Sequence, residues 1–304
     1  MSTPTRDARP VAAYDGRTSA AEAPALLAPG GDCLNCEAAL AGPYCAQCGQ
    51  RARPPRPTLR ELVGEAWDEF VNVDGRFLAS LRVLLTSPGG LTVEALAGRR
   101  ARYLGPLRLY LLCSLAYFVA AAALPDRVHE RRLRARAAAV AVTGAPLPKS
   151  CRPPAAGEPA VIRVMRRLDC KTDRDPVRFE TARRANVPRL MFVLVPLFAA
   201  IVGLTARGRT FPEHLYFALH LHAFAFLAMT VAGAAMLLPG EPARAAVRFA
   251  MLVAVGVYAC LALRRVYGGG WGRVAGRSVV VGLLYGLAFL AGMAGVLLVT
   301  AARM

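Results

Sequence analysis

The sequence is poor in acidic residues and lysine, and it lacks the common catalytic motifs. Its 304 residues include 20 Asp and Glu against 38 Lys and Arg, so the formal net charge is +18, and the only lysines are Lys149 and Lys171. Because this excess is almost entirely arginine in a chain rich in Ala and Gly, the charge by itself is a weak guide to a binding partner. No G-x-S-x-G, H-E-x-x-H or Gly-rich phosphate loop indicates a reaction class.

A secretory signal peptide is also not expected at the start of the sequence. Residues 1–32 contain no continuous apolar run after Arg6 and Arg9, whereas a signal peptide needs such a run directly after its basic residues. The segment also contains too little apolar surface to offset the entropy of ordering. We therefore expect residues 1–32 to be a disordered tail in the cytoplasm.

The rest of the sequence is strongly apolar. Hydrophobic residues make up 55% of the chain, against about 45–50% in soluble domains, and the mean hydropathy is +0.37. Five stretches are long enough, or nearly so, to cross roughly 30 Å of hydrocarbon as helices: 104–124, 189–205, 214–238, 245–263 and 278–301. The sequence therefore predicts an all-α integral membrane helix bundle, with a membrane domain over 104–304 and an extended loop over 125–188.

Two of these spans have additional features. The span at 189–205 is short and contains Pro196, which a membrane helix tolerates when neighbouring groups bind the freed carbonyl. The span at 278–301 contains Gly282 and Gly286, a spacing that lets two helices approach closely within one chain or between chains. An oligomer is therefore compatible with the sequence, as is a glycine pair without such a role.

The arginines beside the short loops predict the orientation. With the N-terminus inside, the cytoplasmic flanks contain nine arginines and the outer flanks two, which agrees with the enrichment of basic residues in cytoplasmic loops. The nine are Arg99, Arg100, Arg102, Arg207, Arg209, Arg264, Arg265, Arg273 and Arg277, and the two are Arg244 and Arg303. We expect a multi-pass protein of the bacterial inner membrane. Alternatively, the Arg-rich segment after Leu124 stays inside and one span is re-entrant or false.

Four cysteines near the start have the spacing of a metal site. Cys33 and Cys36 form one C-x2-C pair, and Cys45 and Cys48 form a second pair eight residues later. Two such pairs are typical of a tetrahedral zinc site with sulfur ligands at about 2.3 Å. We expect a structural zinc ribbon over residues 33–50, with Gly49 supplying a permissive backbone at its turn. Because the protein would supply all the ligands, zinc catalysis is not expected; redox-active or unbound thiols are the alternatives.

Two further cysteines are predicted to lie on the opposite side of the membrane. Cys151 and Cys170 belong to the loop at 125–188, which the orientation places in the oxidising compartment. Disulfides form and persist in that environment. We expect a Cys151–Cys170 disulfide, and two unpaired thiols are the alternative.

Between the ribbon and the first span, residues 51–103 read as a basic linker followed by amphipathic helices. Thr58 and Glu61 match a helix capping box, and the apolar residues that follow recur on one helical face. We expect these helices at the membrane surface, with Trp67 as an interfacial anchor. A small soluble helical hairpin is the alternative.

Several motifs occur in a familiar order: the double C-x2-C ending in "CGQ", "LLTSPGG", "AGRRARYLGPLRLYLL", "PRLMFVLVPLFAAIVGL", "PEHLYFALHLHAFAFL" and "RRVYGG". This order resembles an uncharacterised bacterial domain-of-unknown-function family of polytopic membrane proteins with an N-terminal zinc ribbon. The resemblance covers roughly Cys33 to Leu124 and Pro188 to the C-terminus. It implies the architecture and no activity.

Polar residues near the start of the third span form a second candidate site. Glu213 and His214 lie at the predicted cytoplasmic face, and His220 lies deeper; the three are the candidate catalytic residues. Four arginines are predicted at the level of Glu213, namely Arg99, Arg100, Arg102 and Arg108. We expect a site in the inner leaflet for an anionic headgroup or a small charged substrate, with His214 as proton acceptor. The alternative is that the arginines snorkel to the surface and the histidines hydrogen-bond to neighbouring helices.

Three function classes remain open. The first is a non-enzymatic transporter-like or assembly protein that contacts membrane lipids and docks a cytoplasmic protein through its zinc ribbon. The second is a membrane enzyme that acts on lipid headgroups or small anions through Glu213 and His214. The third is a membrane-tethered nucleic-acid binder, which is disfavoured because Tyr44 is the only stacking residue in the ribbon.

Overall fold

The computed structural model describes residues 31–52, 59, 76–123, 151, 153, 158–238 and 240–303. Nearly all of the expected tail and the expected helix that begins at Thr58, with Trp67, lie outside these residues. The described part is helical and contains no strand; its β-structure is limited to two isolated bridges, Asp32–Ala39 and Tyr44–Arg51.

Eight α-helices occur in the described part of the chain. In order they are α1 Arg76–Thr86, α2 Gly90–Leu96, α3 Pro106–Ala123, α4 Ala160–Arg174, α5 Pro176–Thr205, α6 Phe211–Ala234, α7 Glu241–Tyr267 and α8 Trp271–Ala302. Five of them, α3 and α5 to α8, are long and apolar enough to cross a membrane. This confirms the predicted all-α class with about five spanning helices.

The segment expected as a loop over 125–188 contains more helix than its hydropathy indicates. Helix α4 lies within it, and α5 begins at Pro176 rather than near 189. The first turns of α5 are charged, and Glu180 binds Arg183 and Arg184 at 2.6–2.8 Å. Such pairs three and four residues apart stabilise a helix without apolar side chains, so a search for apolar runs finds only the later part of α5.

The chain divides into two compact units, residues 1–117 with 198–281 and residues 118–197 with 282–304. In the first unit, α6 supplies the largest buried side chains. Tyr216, Phe217 and Phe226 are each at most 2% exposed. The ring of Phe226 lies 5.8 Å from that of Tyr110 and 5.4 Å from that of Tyr117, between centroids. Helix α6 is therefore packed against α3.

The turn between α1 and α2 packs on the end of α7. Gly89 has φ 73°, and a Cβ built there would lie 3.0 Å from the carbonyl oxygen of Ala262. The guanidinium of Arg265 donates to the hydroxyl of Ser87 and, at 3.1 Å, to the carbonyl of Pro88. The "TSPGG" sequence is thus a close-approach turn, and a glycine is required where it meets α7.

The second unit contains the disulfide and the later part of α8, from residue 282 onward. Cys151 is bonded to Cys170 of α4, with 4.7 Å between the two Cα atoms. The Asn186 amide of α5 donates to the Thr300 hydroxyl of α8 at 3.1 Å. A Cβ built at Gly292 would meet Leu190 at 2.6 Å, so α5 and α8 pack closely there.

Candidate metal centre and adjoining cavity

The first C-x2-C pair lies in a tight backbone knuckle. The amide of Cys33 donates to the carbonyl of Ala38, and the amide of Glu37 donates to the carbonyl of Cys33, both at 2.8 Å. Closing this turn places Glu37 at φ 62°, in the left-handed region that residues with a Cβ rarely adopt. The knuckle therefore holds its shape at a local conformational cost.

The second pair repeats the same knuckle with a more suitable residue. The amide of Cys45 donates to the carbonyl of Gln50, and the amide of Gly49 donates to the carbonyl of Cys45, both at 2.8 Å. Gly49 has φ 72°, at the position that corresponds to Glu37. Glycine adopts this conformation readily, so Gly49 occupies the position that the turn demands.

The two knuckles bring four sulfur atoms together. The Sγ atoms of Cys33 and Cys48 are 3.6 Å apart, those of Cys36 and Cys45 are 3.5 Å apart, and all four lie within 4.8 Å of one another. A tetrahedral zinc ion with ligands at about 2.3 Å separates its sulfurs by roughly 3.8 Å. The four cysteines can therefore hold one metal ion. The remaining described residues contain no other such group of His, Cys, Asp and Glu.

The surroundings of the sulfurs form a small core and shift the pKa values of two of the thiols in opposite directions. Cys33, Cys45 and Leu40 are buried and form a small core for the segment. The backbone amide of Cys48 donates to the Cys45 sulfur and lowers the pKa of that thiol to about 7. Although a backbone hydrogen bond from Ala38 lowers it, the pKa of Cys36 is raised to about 12 by burial and by the other three thiols. Metal ions bind thiolates, so a metal ion must displace protons from this cluster.

Gln50 attaches this segment to the loop between α2 and α3, residues 97–105. Its side-chain amide donates to the carbonyl of Gly98 at 2.8 Å, and its side-chain carbonyl accepts from the amides of Arg100 and Ala101, both at 3.0 Å. Leu34 also contacts Gly98, where an added Cβ would lie 2.6 Å from its Cδ1. The sequence alone assigns no role to Gln50, and its position directly after Cys48 and Gly49 was the available signal.

A cavity of about 250 Å³ lies between the second knuckle, the α2–α3 loop and α6. Two buried side chains of α6, Tyr216 and His220, line it. Four arginines also line it: Arg51, Arg76, Arg99 and Arg100. The structure thus brings together two of the predicted anion-binding arginines, Arg99 and Arg100, and the candidate catalytic residue His220, and it adds Arg51 and Arg76, which were not among the predicted site residues.

The cavity wall is held by polar contacts between helices and loop. Nδ1 of His220 lies 3.0 Å from the hydroxyl of Thr92 on α2, and both side chains are buried. Arg99 donates two hydrogen bonds to Glu94, at 2.7 and 2.8 Å. This pairing raises the pKa of Arg99. The α2–α3 loop is therefore held by Gln50 of the ribbon and by Glu94 of α2.

Glu213 and His214 lie outside the cavity lining. The carboxylate of Glu213 accepts from the amide of Thr210 at 2.6 Å and from its hydroxyl at 3.1 Å, which forms the capping box of α6. Nδ1 of His214 lies 2.9 Å from the Tyr267 hydroxyl. The guanidinium of Arg209 lies 5.3 Å from the centroid of the Tyr267 ring. These residues form a separate polar cluster where the start of α6 lies beside the end of α7.

The remaining predicted arginines are also apart from the cavity. Arg102 is exposed on the α2–α3 loop, and Arg108 is buried in the first turn of α3.

His222, another buried histidine of α6, donates from Nδ1 to the Ala218 carbonyl of its own helix at 2.8 Å, and its ring meets Phe198 edge-on at 5.2 Å. It is therefore a packing residue of α6.

Five helices long and apolar enough to cross a membrane suggest a multi-pass membrane protein, and the chain adds a cluster of four cysteines that could bind a metal ion. A family model described as "Protein of unknown function (DUF3667)" matches residues 74–118. The match runs from just before α1, through the "TSPGG" turn and α2, into α3, and it leaves the four clustered cysteines outside. No curated protein and no solved structure matches the chain.

Proposed function

We propose that the chain is a non-enzymatic protein of the bacterial inner membrane, built around a structural zinc ribbon that docks on the cytoplasmic ends of its helices. The observation that carries this proposal is the closed set of four cysteines attached to the α2–α3 loop by Gln50. A zinc ion with four protein sulfurs has no open position for a substrate. The ribbon, residues 33–50, therefore serves folding and assembly, as in a transporter-like or interaction protein.

Zinc is the metal proposed for this site. Four thiolates in tetrahedral positions suit zinc or an iron–sulfur centre, and the C-x2-C knuckles are those of zinc ribbons. Reduced thiols are available in the cytoplasm.

The contacts within the first unit agree with an alternating topology, and the disulfide supports the choice of a cytoplasmic N-terminus. The N-in topology assigns the α1–α2 turn, the α5–α6 loop and the end of α7 to one side of the membrane. Arg265 of α7 binds Pro88, and Arg209 donates to the carbonyl of Val266 at 2.6 Å, so these three segments meet as the topology requires. The Cys151–Cys170 disulfide then lies on the oxidising side.

The surface of the ribbon supports a protein partner. Tyr44 is 59% exposed, and exposed tyrosine is enriched at protein interfaces. The enzymatic alternative through Glu213 has less support, because the carboxylate already caps α6. A cytoplasmic protein that docks on the ribbon fits an assembly role, with membrane lipids around the spanning helices.

Metal analysis of the full chain in detergent tests the ribbon. We expect one zinc ion per chain in the wild type and in Cys113→Ser, whose thiol is buried in α3, and loss of zinc in Cys45→Ser. Iron with visible absorbance, or zinc retained by Cys45→Ser, would contradict the proposal.

Limited proteolysis tests the docking through Gln50. We expect Gln50→Ala to keep its zinc but to be cut by trypsin faster after Arg51, because the three hydrogen bonds to residues 98–101 are lost. Gln47→Ala changes an exposed residue of the same knuckle and is the matched control. Equal cleavage of the two variants would show that Gln50 does not fasten the ribbon.

A further inference from the structure

We propose that the cavity between the ribbon, the α2–α3 loop and α6 binds a phosphate-bearing anion. The proposal goes beyond the structural role of the zinc ribbon, because it assigns a ligand to the space that docking creates. Four arginines on three segments of the chain line the site: Arg51 directly after the ribbon, Arg76 of α1, and Arg99 and Arg100 of the α2–α3 loop.

The charge of the lining selects an anion. No Asp or Glu is among the described residues that line the cavity. Glu94 neutralises Arg99 from outside the lining, and a tetrathiolate zinc centre adds negative charge near Cys48. Sulfur is only a weak hydrogen-bond acceptor, whereas phosphate oxygens match the planar fork of a guanidinium and accept two bonds from it. Phosphate oxygens are therefore better partners than the thiolates for the arginine donors.

The shape of the cavity limits the ligand. Its volume of about 250 Å³ lies just below the roughly 300–1,000 Å³ of sites for drug-sized ligands. Tyr216 and His220 stand one helical turn apart on α6 and form a buried wall. Leu91, Leu104 and Pro106 add apolar surface. This space suits a phosphate with a small attached group.

The cavity is preorganised, which lowers the entropy lost on binding. Gln50 holds the backbone at Arg100 and Ala101, and Glu94 holds Arg99. Thr92 fixes the ring of His220. The phosphate site thus exists only when the ribbon is docked, so ribbon folding and ligand binding are linked.

The position of the cavity favours a phospholipid headgroup as the source of the phosphate, and a soluble phosphate compound has the same chemistry. Pro106 lines the cavity and begins α3, one of the candidate spans. The cavity therefore lies at one end of a spanning helix, at the level where headgroups are found.

The test uses the zinc-loaded full chain in nanodiscs of phosphatidylcholine with and without phosphatidylglycerol, and measures retained lipid by native mass spectrometry. A second arm titrates inorganic phosphate against the detergent-purified chain by calorimetry. We expect Arg51→Gln, Arg76→Gln and Arg100→Gln each to weaken binding of the anion about tenfold, since each removes charge-assisted hydrogen bonds. Arg102→Gln removes an exposed arginine of the same loop and should leave binding unchanged.

The two arms of the experiment distinguish a lipid phosphate from a soluble phosphate, and the control measurements distinguish loss of the anion site from loss of the ribbon. Selective retention of phosphatidylglycerol assigns a lipid phosphate, and saturable binding of inorganic phosphate assigns a soluble one. Zinc content of each variant distinguishes loss of the ligand site from loss of the ribbon. Equal weakening by Arg102→Gln, or no weakening by any of the three lining variants, would overturn the proposal while leaving the zinc ribbon intact.

Discussion

Helices α6 and α8 have similar hydropathy and opposite environments. Their most apolar 18-residue stretches have mean hydropathies of 1.7 and 2.2, yet 56% of the first stretch is buried and only 6% of the second. The more apolar helix is thus the more exposed one. In a bilayer, lipid tails are as apolar as leucine, so hydropathy does not decide which helix is central.

Polar groups and shape distinguish the two helices. Helix α6 carries His220, which needs a partner inside the membrane and finds it in Thr92. Along α8, Leu283, Leu287 and Leu290 are each at least 64% exposed. A helix with buried ionisable groups must lie against protein, whereas an aliphatic helix can face lipid. Histidine content is therefore a better guide to the central helix than hydropathy.

Truncating an aromatic ring in each helix gives the largest expected contrast. Phe226 of α6 is 2% exposed and Phe289 of α8 is 37% exposed. We expect Phe226→Ala to lower the free energy of unfolding by about 3 kcal/mol, near the low end for buried Phe, because it leaves a cavity between Tyr110 and Tyr117. Phe289→Ala should change it by less than about 1 kcal/mol, since lipid fills the space. Reversible unfolding in mixed micelles measures both values, and similar losses would show that α8 is packed against another chain.

Glycine-to-alanine substitutions should change the free energy of unfolding in opposite directions at a closely packed glycine and at an open one. Gly89 has φ 73° and meets α7 at 3.0 Å, whereas Gly282 of α8 has nothing within 4 Å. We expect Gly89→Ala to destabilise the fold by about 2 kcal/mol, through left-handed strain and contact with Ala262. Gly282→Ala should stabilise it by about 0.5 kcal/mol, because alanine favours a helix interior. The same unfolding titration applies, and a loss for Gly282→Ala would instead indicate close helix pairing through Gly282 and Gly286.

Local patterns were sufficient to predict the metal cluster and the spanning helices. The spacing of Cys33, Cys36, Cys45 and Cys48 requires only two short turns to bring the sulfurs together, so sequence distance predicts spatial distance. Apolar runs likewise identify helices that can cross a membrane, as the five long helices confirm. Both features depend on neighbours along the chain.

The features that the sequence did not reveal depend on contacts between distant residues. Gln50 hydrogen-bonds to the backbone of residues 98–101, and the cavity is lined by both Arg51 and Arg100, which lie far apart in the sequence. The helical start of α5 is stabilised by Glu180 with its arginines rather than by apolar side chains. Neither hydropathy nor motif spacing depends on such contacts. The sequence therefore predicted only some of the residues that line the site.

The smallest expected contrast concerns one hydrogen bond made by each helix. His220 of α6 meets Thr92 at 3.0 Å with both side chains buried, and Thr300 of α8 accepts from the less buried Asn186 at 3.1 Å. Interhelical hydrogen bonds in membranes contribute about 0.6 kcal/mol on average and about 1.7 at most.

We expect a double-mutant cycle of Thr92→Val and His220→Leu to give a coupling of about 1–1.5 kcal/mol, since water cannot replace the lost partner. The cycle of Asn186→Leu and Thr300→Val should give about 0.5 kcal/mol or less, because Asn186 lies near the end of the spanning region where water competes. His222→Leu combined with Thr92→Val is the control and should show no coupling, as His222 bonds within its own helix. A larger coupling energy for the α8 pair than for the α6 pair would mean that side-chain packing, and not the His220 hydrogen bond, keeps α6 buried. Histidines would then not indicate which helix is the most buried.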